Sequence, residues 1–134
     1  MTIERTPPPW NPYLASCPTR QVLDCIADKW AVLVVGLLIA GRRRFGELRR
    51  EIQGVSQKML TQTLRSLERD GLISRRVYAC VPPKVEYSLT PLGQSLAETL
   101  DGLRVWAESN IEDVLQSQMA FDTALLRDTS KEGL

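Results

Sequence analysis

The sequence predicts a mainly α-helical chain that carries one small β-hairpin. Three observations predict it. Apolar residues recur at helical spacing in five separate segments, strict alternation is confined to two short runs around a proline-rich tip, and Gly or Pro punctuates nearly every junction. With 134 residues, 43% hydrophobic and 25% charged, the chain is long enough for one domain with one core.

The elements follow in order. "TPPPWNPYLASCP" is too rich in proline for regular structure and predicts an extended N-terminal arm over residues 1–16, with Trp10 and Tyr13 available to pack on a partner. A first helix starts near Pro18, a good first-turn residue, and carries Val22, Leu23, Ile26 and Ala27 at helical spacing. Asp28 and Lys29 interrupt it. A second helix runs from about Trp30 to Ala40, with Gly41 as its C-cap. Its apolar run "WAVLVVGLLIAG" is short of the ~20 residues that a bilayer span needs, so it reads as a buried core helix with no membrane role. "FGELRREI" is a short third helix, Phe45, Leu48 and Ile52 inward and Arg49 and Arg50 outward. After the turn at Gly54 and Val55, Ser56 is an N-cap candidate for a fourth helix from Gln57 to about Asp70, stopped by Gly71. Leu60, Leu64 and Leu67 form its apolar stripe.

"LISRRVYA" and "KVEYSLT" alternate as two strands of a hairpin. Thr90 and Pro91 then mark the start of a fifth helix, with Leu92, Leu96, Leu100, Leu103, Ala107, Ile111 and Val114 or Leu115 on one stripe. That stripe is longer than a core this small needs, which predicts burial of part of it against another chain. Its periodicity fades after about Met119, and residues 120–134 read as a flexible tail behind a domain of residues 17–119.

Three helices, a turn between the third and a fourth, a hairpin and a last helix are the order of a winged helix-turn-helix, in which the second helix of the pair enters the DNA major groove. Charge agrees. The net charge is only +1, but between Arg42 and Arg76 ten basic residues face four acidic ones, a local +6. From Asp101 onward seven acids face three bases, a local −4. A basic middle hidden inside a neutral total points to a polyanion-binding face. On the fourth helix, Lys58, Thr61, Gln62, Arg65 and Arg69 share the side opposite its leucines, with Gln57 flanking it and Ser56 at its start, and all seven are expected to contact DNA. Arg donates twice to guanine, Gln pairs with adenine, Thr meets a thymine methyl and Lys reaches phosphate. Gln57, Thr61, Gln62 and Arg65 are therefore expected to carry sequence choice, Lys58 and Arg69 affinity. The Arg42–Arg44 run, the Arg49-Arg50 pair and the Arg75-Arg76 pair border this helix and could clamp phosphates, Arg43, Arg44, Arg49 and Arg76 foremost, and Lys84, just past the wing tip, suits minor-groove or phosphate contact.

The chain has no His, which excludes a Ser-His-Asp triad, a Cys-His dyad and His-ligated metals, and no paired-carboxylate or phosphate-loop motif suggests an enzyme. No cofactor is expected. Cys17, Cys25 and Cys80 lack C-x-x-C spacing and suit a reducing cytosol. Cys17, at a helix N-terminus, has thiolate-favouring surroundings; a capping Cys that reacts with nothing is the plainer alternative. Cys25 reads as core. Cys80, at the wing tip, reads as incidental, with a second redox handle as the rival reading.

The pieces "CP" before the first helix, "DKW", "RRRFGELRR", "GVSQKMLTQTLRSLERDGLI" and "VPPKVEYSLTPLG" resemble the HxlR family of winged-helix transcriptional regulators, relatives of the MarR type, over Cys17 to about Trp106. The resemblance implies a homodimer joined through the N-terminal segment, the first helix and the long last helix. It implies an inverted-repeat operator in double-stranded DNA, a repressor more often than an activator, and sensing of oxidants, quinones or aldehydes at the position of Cys17. A non-covalent ligand at the dimer interface, or a winged helix that binds protein and no DNA, are the alternatives.

Overall fold

The computed structural model describes residues 10–132, with side chains described through residue 129. Residues 1–9 of the expected arm, and 133–134, lie outside the described residues. The elements are α1 (Pro18–Ile26), α2 (Lys29–Ile39), β1 (Arg43–Arg44), α3 (Phe45–Glu51), α4 (Gln57–Arg69), β2 (Ile73–Tyr78), β3 (Lys84–Leu89) and α5 (Pro91–Glu132). The described chain forms one compact unit up to Leu100 and a second from Asp101 onward.

In the first unit, each boundary has a local cause. The arm residues 11–17 are a run of turns where an extended segment was expected. The Asn11 side-chain oxygen accepts from the Tyr13 N–H at 3.1 Å, and the Asn11 carbonyl accepts from Leu14, so an Asx turn competes with extension. The Asp28 carboxylate accepts from the Trp30 N–H at 2.8 Å and starts α2. Ser56 Oγ accepts from the Met59 N–H at 3.1 Å and starts α4, as its sequence position implies. Gly54 at φ 89° and Gly71 at φ 76° turn the chain before and after α4, a backbone region that residues with a Cβ rarely adopt.

The core is built from Val34, Val35 and Leu38 of α2, Leu48 of α3, Leu60, Leu64 and Leu67 of α4, Ile73 of β2 and Ala97 and Leu100 of α5. Each of the three α4 leucines is at most 2% exposed. Burial of such a side chain is worth about 1.5–3 kcal/mol, so the stripe fixes which face α4 leaves outward.

The sheet has three strands in the order β1-β3-β2, all antiparallel, where a two-stranded hairpin was expected. β1 is only two residues long, too short to show alternation in sequence, and exists because Arg43 pairs with Tyr87 and Arg44 with Glu86. The hairpin register runs from Ile73 opposite Leu89 to Tyr78 opposite Lys84.

α5 continues to Glu132, past the expected fade near Met119. Residues 116–132 lose their apolar stripe but contain no Gly or Pro, so backbone propensity sustains the helix where periodicity does not. Within the second unit, Arg104 pairs with Asp101 at 2.9 Å and Glu108 at 2.8 Å along the helix. Trp106, Ile111, Leu115, Met119, Phe121 and Leu126 are exposed. Among the described residues, no helix is long and apolar enough to cross a membrane.

Candidate nucleic-acid interface

With the leucine stripe of α4 turned inward, a rotation of ~100° per residue places Lys58, Arg65, Arg69 and Gln62 farthest from the core. All four are exposed. Gln57 and the half-buried Thr61 lie on one flank, where with Arg65 they line a groove of about 360 Å³ against the sheet. Gln62 and Arg69 border α1 on the opposite flank. The expected reading row is therefore a band with two edges. Thr61 donates its hydroxyl proton to the Gln57 carbonyl at 2.7 Å, which engages the hydroxyl within the helix. Ser56 is engaged by the cap and serves mainly to start the helix. Lys58 and Arg65 make no ion pair among the described residues.

The sheet register sorts the remaining cations by face, since cross-strand partners share a face. Arg44, Arg76, Tyr78, Lys84 and Glu86 lie on one side of the sheet. Arg43, Arg75 and Tyr87 lie on the other, and Arg75 and Tyr87 line the groove beside α4. Three of the expected phosphate contacts (Arg44, Arg76 and Lys84) thus share the sheet face turned away from α4. Arg43 is mostly committed inside the chain: its Nε reaches Glu51 at 3.4 Å and its Nη1 donates to the Arg42 carbonyl at 3.0 Å. Arg49 is exposed in the last turn of α3.

Two more residues border these cations: Arg75, which the sequence offered together with Arg76, and Glu86, which it did not. Arg75, paired with Glu68 at 3.6 Å, borders Arg65 and Gln57 more closely than Arg76 does. The alternation of "SRRV" put the two arginines on opposite faces, but only the pairing of Arg75 with Tyr87 shows which one meets α4. Glu86 is the second. Its carboxylate gathers Lys84 at 2.9 Å, the Tyr78 hydroxyl at 3.1 Å and Arg42 at 4.0 Å, while Arg76 stacks over the Tyr78 ring at 4.8 Å. The Lys84 hydrogen bond above all, then Tyr78 and the charge of Arg42, hold the Glu86 carboxyl below its ordinary range against a smaller opposing effect of burial. Glu86 thus ties together Lys84 and Tyr78 of the hairpin and Arg42 before it.

Cys17 is the N-cap residue of α1 and is 6% exposed. Burial pushes its thiol up, but the backbone N–H groups of Thr19 and Arg20, the Thr19 side chain and the Asn11 backbone together draw it below the ordinary value. Neither α1 N–H closes a regular capping hydrogen bond. Cys25 is half-buried against the core, as expected, and its thiol is pushed up to about 11 by burial first, then by Asp70 and Asp28. Cys80 is exposed, its thiol directed to the Pro82 carbonyl at 3.2 Å. No cluster able to hold a metal exists among the described residues.

Comparison with known proteins agrees with this fold. Residues 25–115 match the family described as HxlR-like helix-turn-helix. The chain is 48% identical over 105 residues to YtfH of Escherichia coli strain K12, an uncharacterized HTH-type transcriptional regulator, covering 78% of this chain and 83% of that one. Among solved structures, the transcriptional regulator ytfH from Salmonella typhimurium is 44% identical, with a TM-score of 0.78, 81% of this chain and 97% of that chain covered. The redox regulator HypR in its oxidized form is 46% identical, with a TM-score of 0.65, 70% and 97% covered.

Proposed function

Because the chain belongs to the HxlR-like helix-turn-helix family and is a transcriptional regulator of the HTH type, we propose that it acts as a homodimeric repressor on an inverted-repeat operator and leaves that operator when Cys17 is modified. The observation that carries the DNA reading is α4 itself. It is capped at Ser56, held from behind by three fully buried leucines, and presents Lys58, Gln62, Arg65 and Arg69 outward beside a cationic sheet. Two such helices from one dimer would enter successive major grooves ~34–36 Å apart. Arg65, Gln57, Thr61 and Gln62 read base edges; Lys58, Arg69, Arg44, Arg49, Arg76 and Lys84 hold phosphates.

Dimerisation is supported by the exposed apolar side chains of residues 101–129, Trp106, Ile111 and Phe121 among them, and by exposed Leu23 on α1. Sensing is supported by the lowered thiol of Cys17 and by the similarity to HypR, a redox regulator.

The test is a titration of the protein's own upstream DNA across a series of salt concentrations, reduced and after diamide, for wild type and Cys17→Ser. The expected result is steep salt dependence, weakening by diamide, and no diamide effect in the variant. A salt-insensitive or absent complex defeats the DNA reading. A diamide response that survives in Cys17→Ser defeats the sensor assignment alone.

A further inference from the structure

On the flank of α4 opposite the sheet, a cavity of about 660 Å³ opens between α4 and α1 within a single chain, a size typical of small-molecule sites. Val22, Ala31 and Met59 supply apolar wall, while Asp24, Asp28 and Asp70 bring three carboxylates against the single cation of Arg69. None of the three carboxylates forms an ion pair among the described residues. Two of them stand where helix electrostatics disfavour them. Asp24 is in the last turn of α1 and Asp70 is the C-cap of α4, both at the negative end of a helix dipole. Asp28 also caps α2, and Asp70 also accepts from the Cys25 thiol.

An independent observation concerns Thr63. It is a polar residue on the buried side of α4, only 9% exposed, and it lines this cavity. Thr61, two residues earlier, hydrogen-bonds to the helix backbone, but the Thr63 hydroxyl has no partner among the described residues. No side-chain polar atom is sealed off without a partner, so the Thr63 oxygen keeps an opening, and the cavity is the space it borders. Cys25 lines the same wall.

We propose that this cavity binds a small organic cation, an amine or quaternary ammonium on an apolar body, and that its occupancy moves α4 relative to α1. The charged end meets Asp24, Asp28 and Asp70, the body lies on Val22, Ala31 and Met59, and the Thr63 hydroxyl takes a polar substituent. Only the consequence of binding rests on the DNA-binding reading: Gln62 and Arg69 belong both to this wall and to the outward band of α4, so a ligand favoured by one spacing of α1 and α4 changes how the band meets DNA.

The test uses three probes of one carbon skeleton: 4-phenylbutylamine, 4-phenylbutanol and 4-phenylbutyrate. Thermal melts and calorimetric titration of the reduced full-length protein without DNA should show the amine binding roughly tenfold more tightly than the alcohol, with no binding of the carboxylate. Asp24→Asn combined with Asp70→Asn should abolish the amine's advantage. With ¹³C-methyl methionine, the Met59 signal should move on amine addition and the Met119 signal should not. Equal affinity of amine and alcohol for the wild type overturns the proposal even if the double variant fails to fold. So does an advantage retained in the folded double variant, or a shift confined to Met119. If the amine binds but operator affinity does not change, the coupling to α4 is wrong. If no DNA complex forms at all, the earlier reading fails, and the melts and methyl shifts still decide this one.

Discussion

Replacing Gly93 by Ala tests how α5 is seated on the DNA-binding unit. Gly93 is buried in the first turn of α5, and a Cβ there would overlap the carbonyl oxygen of Leu72, while lying 3.0 Å from that carbonyl carbon and 3.2 Å from Leu89 Cδ2. The obstacle is backbone, and it is held in place. The Leu72 carbonyl accepts from the Thr90 N–H at 3.1 Å, and the Thr90 hydroxyl donates to the Gly71 carbonyl at 2.6 Å while accepting from the Gly93 N–H at 3.0 Å. Relief requires the first turn of α5 to lift away, which breaks about two hydrogen bonds worth ~1 kcal/mol each and adds overpacking strain of ~1–3 kcal/mol. Against this stands only the ~1 kcal/mol by which Ala is the better helix former. The net loss is about 2–4 kcal/mol, a fall in melting temperature on the order of 10 °C. Gly102, also in α5, has nothing within 4 Å of such a Cβ, so Gly102→Ala should instead gain up to ~1 kcal/mol and melt a few degrees higher. Both are read by circular dichroism melts at one fixed protomer concentration. If Gly93→Ala melts at or above wild type, the seating of α5 on residues 71–72 is wrong.

Two further predictions concern the interface. Lys58→Ala should weaken all DNA sequences alike and lower the salt slope by about 1, whereas Arg65→Ala should cost ~1–3 kcal/mol on the operator and relax preference at one base position; a binding-site selection with each variant distinguishes them. Glu86→Gln should release Lys84 and Arg42, steepen the salt dependence and tighten binding to unrelated DNA, measured by titration against a scrambled duplex. Glu86 has a folded-state pKa below the unfolded value of ~4.3, so its stabilising contribution is complete above that value and disappears as pH falls through the folded-state one. The stability gap between wild type and Glu86→Gln should therefore be present at neutral pH and close on acidification, and a gap unchanged by pH contradicts the assignment.

What sequence could show depended on whether the deciding interaction is local. Ser56 as a cap, the leucines of α4 as its inward stripe and Gly71 as its stop all act within a few residues, and all three were legible. So was the winged order of elements. The third strand was not, because β1 contributes two residues whose only reason to be a strand lies more than forty positions away, at Glu86 and Tyr87. The continuation of α5 was hidden for another reason: the eye follows apolar periodicity, and residues 116–132 are helical by propensity. At the site, residue type and helical spacing placed Lys58, Gln62 and Arg65 correctly on the outward band, but the choice between Arg75 and Arg76 is a question of register. A run of two arginines on one strand cannot say which faces the helix until its partner is known.

That distinction also bears on what the +6 of residues 42–76 means. Counted along the chain it looks like one patch. In space it divides into the α4 band with Arg75 beside it, the Arg44–Arg76–Lys84 group on the outer sheet face, and Arg43 drawn back to Glu51. Glu86 stands inside the outer group and pairs with its neighbours, so the wing carries less net positive charge than its arginines suggest. An interface that relied on charge alone would gain from losing that carboxylate. Its place between Lys84, Tyr78 and Arg42 makes physical sense if orientation of the wing matters more to this protein than strength of attraction to any duplex, because nonspecific affinity competes with operator choice across every other site on the DNA. The Glu86→Gln titration separates these two requirements: a variant that binds scrambled DNA more tightly, yet discriminates its operator less, would place the carboxylate on the side of specificity.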